Sequence, residues 1–330
     1  MDLPLDRKLR IGVQTLHRRT EPAEGPWLPT IDAMRTLVER VDQGGYDSIW
    51  VGDHISFHIA IFDPLLQLAQ AAVFSRRLVF GTGVYLVPLR HPTPIAKQVS
   101  TLDHLTEGRF IFGVGVGGEF PKEFEACGVP VGERGARLSE SIEVMRKLWS
   151  GKSASHSGRF FTFEGVTLQP PPRQRGVPPI WCGGRSDPAL RRIGRLTDGW
   201  MSYVITPEMF RQGLEKIAEA ASAASRSFDR GFGTAHLLFT CVDDSYEKAL
   251  DKATVSLSQR YGMDFRKAAQ RYCALGTPQQ VAETVLRFHE AGARHVILDF
   301  VGPYEERDGQ IERFAGEGLP LLAELRKTPS

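Results

Sequence analysis

The stretch VGDHISFH, residues 51–58, sets Asp53, His54 and His58 directly behind an apolar run, Ser48-Ile49-Trp50-Val51. A carboxylate and two histidines this close can bind a metal, move a proton, or simply satisfy polar groups at the edge of a core. A zinc site needs three or four converging ligands. If a strand ends at His54, His58 falls in a loop, the i, i+4 spacing of a helical metal pair does not exist, and no H-E-x-x-H is present. A single histidine at a strand end, with Asp53 alongside to orient it, suits proton transfer near neutral pH. The structural alternative is that His54 satisfies a buried backbone group. His58 reads as a lid or structural residue.

Three glycine-bearing stretches bear on what His54 could act beside. GVGVGGEF, Gly113 to Phe120, is not the dinucleotide pattern G-x-G-x-x-G. Its Gly117 and Gly118 would still let a flat ring or a phosphate chain approach the backbone, although a small-residue layer followed by a turn explains them equally. Gly183-Gly184-Arg185-Ser186, ahead of Asp187-Pro188, makes a phosphate cradle at a helix start, with a surface role open for Arg185. At Gly83-Val84 a β-branched residue follows a glycine at a strand end, a place for a bulge or unusual peptide geometry that pushes a side chain towards a ring. The chain has no G-x-S-x-G elbow, no Walker A motif and no Schiff-base lysine context, which disfavours acyl and phosphoryl transfer. Redox chemistry with a flat cofactor fits these residues better.

Eight apolar or β-branched runs could position them: 9–15, 48–54, 78–87, 109–118, 179–184, 199–203, 236–243 and 295–302. Helical periodicity falls between them at 30–43, 63–74, 93–106, 133–150, 188–196, 207–224 and 278–291, with a last helix near 310–327. Strands too apolar to have a wet face, alternating with helices, predict a parallel sheet covered by helices. The economical solution is one (β/α)8 barrel spanning 1–330. Its active site would lie at the C-terminal strand ends, where Gln14, Thr15, Asp53, His54, Gly83, Val84, Gly117 to Glu119, Gly183 to Ser186, Ser202, Tyr203 and Asp299 fall. Two segments exceed ordinary loops: 153–178, read as a hairpin with a proline-rich turn, and 244–276, read as extra helices. As lids, they would offer Phe160, Phe161, Tyr261 and Phe265 among arginines, which suits an apolar small-molecule substrate with a polar group.

Composition narrows the partners. The 41 lysines and arginines nearly balance 39 aspartates and glutamates among 330 residues, so no broad field favours nucleic acid or an anionic membrane. Cys127, Cys182, Cys241 and Cys273 lie far apart without a C-x-x-C pair, against a disulfide framework or a thiolate metal site. MDLPLDRKLRIGVQT lacks the apolar core of a signal peptide and no run of 18 apolar residues occurs, so a cytoplasmic protein is expected.

IGVQT, YDSIWVGDH, FGTGV, RHPTPIAKQVSTLDHLTEGRFIFGVGVGG, EFEACGVPVGERGARLSESIEVMRKLW, PIWCGGRSDPALRRIGRLTDGW and RYCALGTPQQVAETVLRFHEAGARHVILDF together resemble the bacterial luciferase-like superfamily of flavin- and deazaflavin-dependent oxidoreductases. The resemblance covers nearly the whole chain. It implies a (β/α)8 barrel and a coenzyme F420 or FMN ring over the strand ends. His54 would stand near the reactive edge of that ring and Gly83-Val84 at a non-prolyl cis peptide beneath it. Gly117, Gly118 and Gly183 to Ser186 match segments that contact the ring or its phosphate tail. Glu119 sits one position later than the acid of the related sugar-phosphate dehydrogenases. The resemblance also implies a homodimer, for which helices near 63–74 and 93–106 could supply a face, and with FMN a separate reductase. The DH pair tilts the reading to F420-dependent hydride transfer; an FMN-dependent monooxygenase using oxygen is the alternative, and a non-catalytic flavin-binding protein a further one.

Overall fold

The computed structural model describes residues 8–14, 30–57, 61–174, 177–228 and 231–327. Eight parallel strands close into a barrel: Arg10–Gln14, Ser48–Val51, Val79–Thr82, Phe110–Gly115, Ile180–Gly183, Gly199–Tyr203, Gly233–Val242 and His295–Phe300. Each pairs with the next, and the eighth returns to the first through Arg10 opposite His295. This is a TIM barrel, as the alternation of apolar runs and helices predicts. The helices bury one stripe each. Helix Ile31–Gln43 turns Met34, Leu37, Val38 and Val41 inward, and Thr30 caps it by accepting from the Ala33 N–H. Helix Pro278–Glu290 opens on a capping box between Thr277 and Gln280.

Inside the barrel, two indoles pack with Met201, Ala235 and Ile297. Trp50 and Trp181 stack with ring centroids 5.5 Å apart. Room for them comes from glycines on neighbouring strands: a Cβ on Gly81 would stand 2.2 Å from Trp50, and one on Gly233 2.2 Å from Trp181. The Trp50 Nε1–H donates to Ser48 Oγ at 2.8 Å, and Ser48 Oγ lies 2.7 Å from His295 Nε2. This plug closes the barrel below the strand ends and keeps a polar network in its interior satisfied.

Three expectations are revised. The run 78–87 is not one strand: it breaks after Thr82 at a cis Gly83–Val84 peptide and resumes as Tyr85–Leu86, paired to Val114 and Gly115. The last helix is divided into Arg307–Arg313, a wider turn Phe314–Gly318, a tight turn Leu319–Leu322 and Ala323–Arg326. Gly316, Gly318 and Pro320 account for this, since glycine weakens a helix and proline lacks the N–H that continues it. Segment 244–276 supplies the expected helices, Tyr246–Tyr261 and Arg266–Tyr272, but ends in a strand, Ala274–Gly276, beside the upper part of the seventh barrel strand. The hairpin in 153–178 is present as Ala154–Ser157 against Thr162–Val166. Among the described residues no helix is long and apolar enough to cross a membrane.

Two histidines with no access to solvent make the fold acid-sensitive. His236, stacked on Phe288, and His295 are both pushed down to about 3 by burial. In the unfolded chain each titrates near the ordinary 6.5, so between about pH 6.5 and 3 the unfolded state binds protons that the folded state refuses. Their stabilisation is therefore present above that window and lost as pH falls through it. Lowering the pH from 7.5 to 5 should cost about 2 kcal/mol per histidine. Urea unfolding at the two pH values checks this; an unchanged midpoint would contradict it.

Candidate functional site

A cavity opens at the C-terminal ends of the strands, with about 1030 Å³ of space free of protein atoms, its mouth included. Every barrel strand or the residue following it contributes: Gln14, Asp53 and His54, Gly83 and Val84, Gly115 to Gly117, Gly183 and Gly184, Met201 to Tyr203, Leu237 and Phe239, and Asp299. Of the residues anticipated from sequence, Asp53, His54, Gly83, Val84, Gly117, Gly183 and Gly184 line it, whereas Gly118, Arg185 and Ser186 lie outside its wall. The Arg185 guanidinium is exposed, donates to the Val204 carbonyl at 2.7 Å and lies 5.4 Å from the Tyr203 ring. Ser186 precedes helix Asp187–Leu196 without a side-chain capping bond. Gly118, at φ +109°, stands against Arg134, whose Nε would be 2.9 Å from a Cβ there. His58 and Thr15 fall outside the described residues.

His54 is held by a residue far away in sequence. Its Nδ1 lies 3.0 Å from Glu123 Oε1, and the Ile55 N–H donates to Glu123 Oε2 at 3.1 Å. Glu123 is fully buried on the short helix Pro121–Ala126, in the loop after the fourth strand. Burial alone would raise its pKa, but the His54 hydrogen bond and charge, with the Ile55 and Ser56 N–H groups, outweigh this and hold the carboxyl below its usual range. An ionised Glu123 accepts, so Nδ1 carries the proton it donates and Nε2 is the basic nitrogen. The ring is also stacked on Phe57, with centroids 4.0 Å apart and planes 9° from parallel.

Asp53 does not orient His54. It is buried and takes a bidentate contact from Arg90, Nη1 to Oδ2 at 2.6 Å and Nη2 to Oδ1 at 2.9 Å, while the Leu86 N–H donates to Oδ2 at 2.9 Å. Consecutive residues of an extended chain point to opposite sides, so one of an adjacent pair turns away from the other. Asp53 thus pins the segment after the third strand, and Glu123 takes the role its neighbour seemed to offer.

Two glycines also make room for a side chain. A Cβ on Gly115 would meet Val84 Cγ2 at 2.4 Å, and one on Gly183 would meet Val84 Cγ1 at 3.2 Å. Their missing side chains make room for Val84, which follows the cis Gly83–Val84 step and gives the cavity an apolar platform. Beside it Gln14 Nε2 donates to the Gly83 carbonyl at 3.1 Å, while Gln14 Oε1 is buried without a hydrogen-bond partner among the described residues. An apolar shelf bordered by an unmet acceptor fits a planar heterocycle that carries N–H groups. Among the described residues no cluster of His, Cys, Asp and Glu could hold a metal ion.

The remaining polar wall groups come as pairs. Tyr203 Oη donates to Glu119 Oε1 at 2.6 Å, and Arg260 Nη1 donates to Asp299 Oδ2 at 2.8 Å. Of the four lid aromatics, only Tyr261 lines the cavity; Phe265 packs behind it with centroids 5.1 Å apart. Phe160 and Phe161 instead pack beside the barrel, their N–H groups donating to Glu140. Glu123, Arg90 and Arg260 were not anticipated. The only sequence signal for Glu123 was an acid in the first turn of a helix that follows a strand end.

The model of the luciferase-like monooxygenase family matches residues 9–295, and the chain belongs to that family. It is an oxidoreductase of the luciferase-like type. A 4-hydroxyprotoasukamycin monooxygenase from Streptomyces nodosus subsp. asukaensis is 30% identical over 76% of this chain and 68% of its own. An F420-dependent glucose-6-phosphate dehydrogenase from Microbacterium testaceum is 26% identical over 85% of this chain and 90% of its own. Among solved structures, an F420-dependent secondary alcohol dehydrogenase in complex with an F420–acetone adduct has a TM-score of 0.79 at 22% identity, covering 94% of this chain and 98% of that one. The last likeness is one of fold.

Proposed function

We propose that this protein is a coenzyme F420-dependent oxidoreductase that moves hydride to or from a small organic substrate. The observation that carries the reading is the His54–Glu123 pair at the edge of the Val84 platform: a buried, ionised carboxylate fixes one ring nitrogen and leaves the other free to exchange a proton. When bound, the deazaflavin supplies the hydride acceptor or donor. Val84, Gln14, Gly183 and Gly184 line the cavity and would hold it, Val84 through apolar contact, Gln14 Oε1 by accepting from an N–H, and the two glycines by leaving the backbone open to close approach. His54 Nε2 takes the substrate proton in the oxidative direction and returns it in the reductive one. Glu123 stabilises the resulting imidazolium without accepting the proton itself. The F420-dependent dehydrogenase relatives, aligned along most of this chain, support the same reading.

The monooxygenase relative at 30% identity favours a second reading, in which reduced FMN and oxygen take the place of F420 and a separate reductase delivers the flavin. A homodimeric, cytoplasmic enzyme goes with either. Equilibrium titration of the purified, cofactor-free protein with F420 and with FMN, followed by fluorescence, tests the choice. Binding of F420 at least tenfold tighter than FMN is expected. Tight binding of FMN alone would replace hydride transfer with oxygen activation, and binding of neither would remove both.

A further inference from the structure

Helix Tyr246–Tyr261 delivers one charged side chain into the cavity wall, Arg260, and meets there the last barrel strand's Asp299. Both are buried, at 6% and 4% exposure. Removing two charges from water is costly, and the cost is recovered only where the remaining donors and acceptors are also met. Here they are not. Nη1 meets Oδ2 at 2.8 Å, and among the described residues Arg260 Nε is buried with no hydrogen-bond partner. The wall around the pair is apolar and aromatic, with Leu237, Phe239 and Tyr261 in the lining and the guanidinium carbon 5.5 Å from the Phe239 ring.

The helix that carries Arg260 is tied down: Lys252, two turns earlier, lies 2.7 Å from Asp243 Oδ2, just after the seventh strand, and 2.6 Å from Glu306 Oε2, in the turn Tyr304–Glu306 beyond the eighth. Few, fixed polar groups in an apolar wall are what orient a ligand.

We infer that the Arg260–Asp299 pair is the substrate-recognition element of this cavity and selects an uncharged, flat substrate with a hydrogen-bond acceptor and a donor on adjacent atoms, the pattern of a secondary lactam. The carbonyl oxygen accepts from Arg260 and the neighbouring N–H donates to Asp299. A carboxylate drawn to Arg260 meets the Asp299 charge beside it, and a cation drawn to Asp299 meets Arg260, so ions of either sign gain little. The inference deepens the proposed oxidoreductase reading by naming its substrate class, and rests on that reading for the chemistry that follows binding.

Calorimetric titration of the full-length protein with 2-quinolone, N-methyl-2-quinolone and 2-naphthoate tests it, first without cofactor and then with F420 or FMN at saturation. We expect 2-quinolone to bind at least about tenfold tighter than both other probes, and to keep that lead with cofactor present. Asp299→Asn should reverse the order, because an unneutralised Arg260 favours 2-naphthoate. Equal binding of 2-quinolone and its N-methyl form, or tighter binding of 2-naphthoate to the unaltered protein, overturns the inference. So does loss of 2-quinolone binding when the cofactor saturates, since the pair would then serve the cofactor. If neither cofactor binds but the preference for 2-quinolone holds, the recognition element stands while the F420 and FMN readings fall. The three-probe comparison on the unaltered protein decides the matter even where the variant does not fold.

Discussion

His54→Ala should lower turnover by about 10²-fold or more while the protein still folds and its affinity for cofactor stays close to that of the unaltered protein. The size follows from what the side chain does in the proposed reaction. Its Nε2 is the basic atom beside the Val84 platform, and positioned acid–base groups commonly contribute this much. Stability should fall by about 1–3 kcal/mol, because Glu123 is left buried with the Ile55 N–H but without the imidazole that paired with it. Glu123→Gln separates positioning from proton transfer. The amide still offers an oxygen to Nδ1–H, but a neutral acceptor is worth less than an ionised one, and turnover should fall about tenfold. Steady-state rates with the cofactor identified by titration, together with urea unfolding of each variant, provide the check. Unchanged turnover in His54→Ala would remove His54 from the mechanism, and a collapse of stability would make it a structural residue.

The barrel was legible because its signals are local and repeated. Runs such as HVILDF and SIWV are buried on both faces, and a sequence that hides every side chain of a strand can belong to few architectures. The strand ends were legible for the same reason: once the runs are placed, their last residues must ring one opening. What could not be read was which side chains would meet. Glu123 lies 69 positions from His54, and Arg260 lies 39 from Asp299. Such pairs depend on how loops fold back over the barrel, which carries no periodic signal. Proximity in sequence misled at Asp53, since adjacency in an extended segment separates side chains rather than joining them. The glycines were legible only in part: Gly117, Gly183 and Gly184 line the cavity, but no local pattern shows that Gly183, like Gly115, also gives room to Val84 from the break between Thr82 and Tyr85.

Arg90→Met is expected to destabilise the fold by about 3 kcal/mol, because it leaves the Asp53 carboxylate buried without its counter-charge. The carboxylate side chain has no exposed surface, while the guanidinium keeps about 20% of its own. Water can therefore reach Arg90 but not compensate Asp53 once Arg90 is gone. The Leu86 N–H remains as a single donor to Asp53 Oδ2 and cannot neutralise a full charge. Asp53→Asn in the Arg90→Met background should recover much of the loss, since a neutral amide oxygen can still accept from Leu86. The effect should extend to the site. Asp53 joins the end of the second strand to the segment that follows Gly83–Val84, so freeing it loosens the shelf that Val84 forms. Cofactor affinity should then fall in Arg90→Met even though neither Arg90 nor its methionine replacement lies in the cavity wall. Urea unfolding of the two single variants and the double variant, with cofactor titration of each, measures both consequences. Additive losses in the double variant would mean that the pair is not coupled. Unchanged cofactor affinity in a destabilised Arg90→Met would mean that the Val84 shelf is held without Asp53.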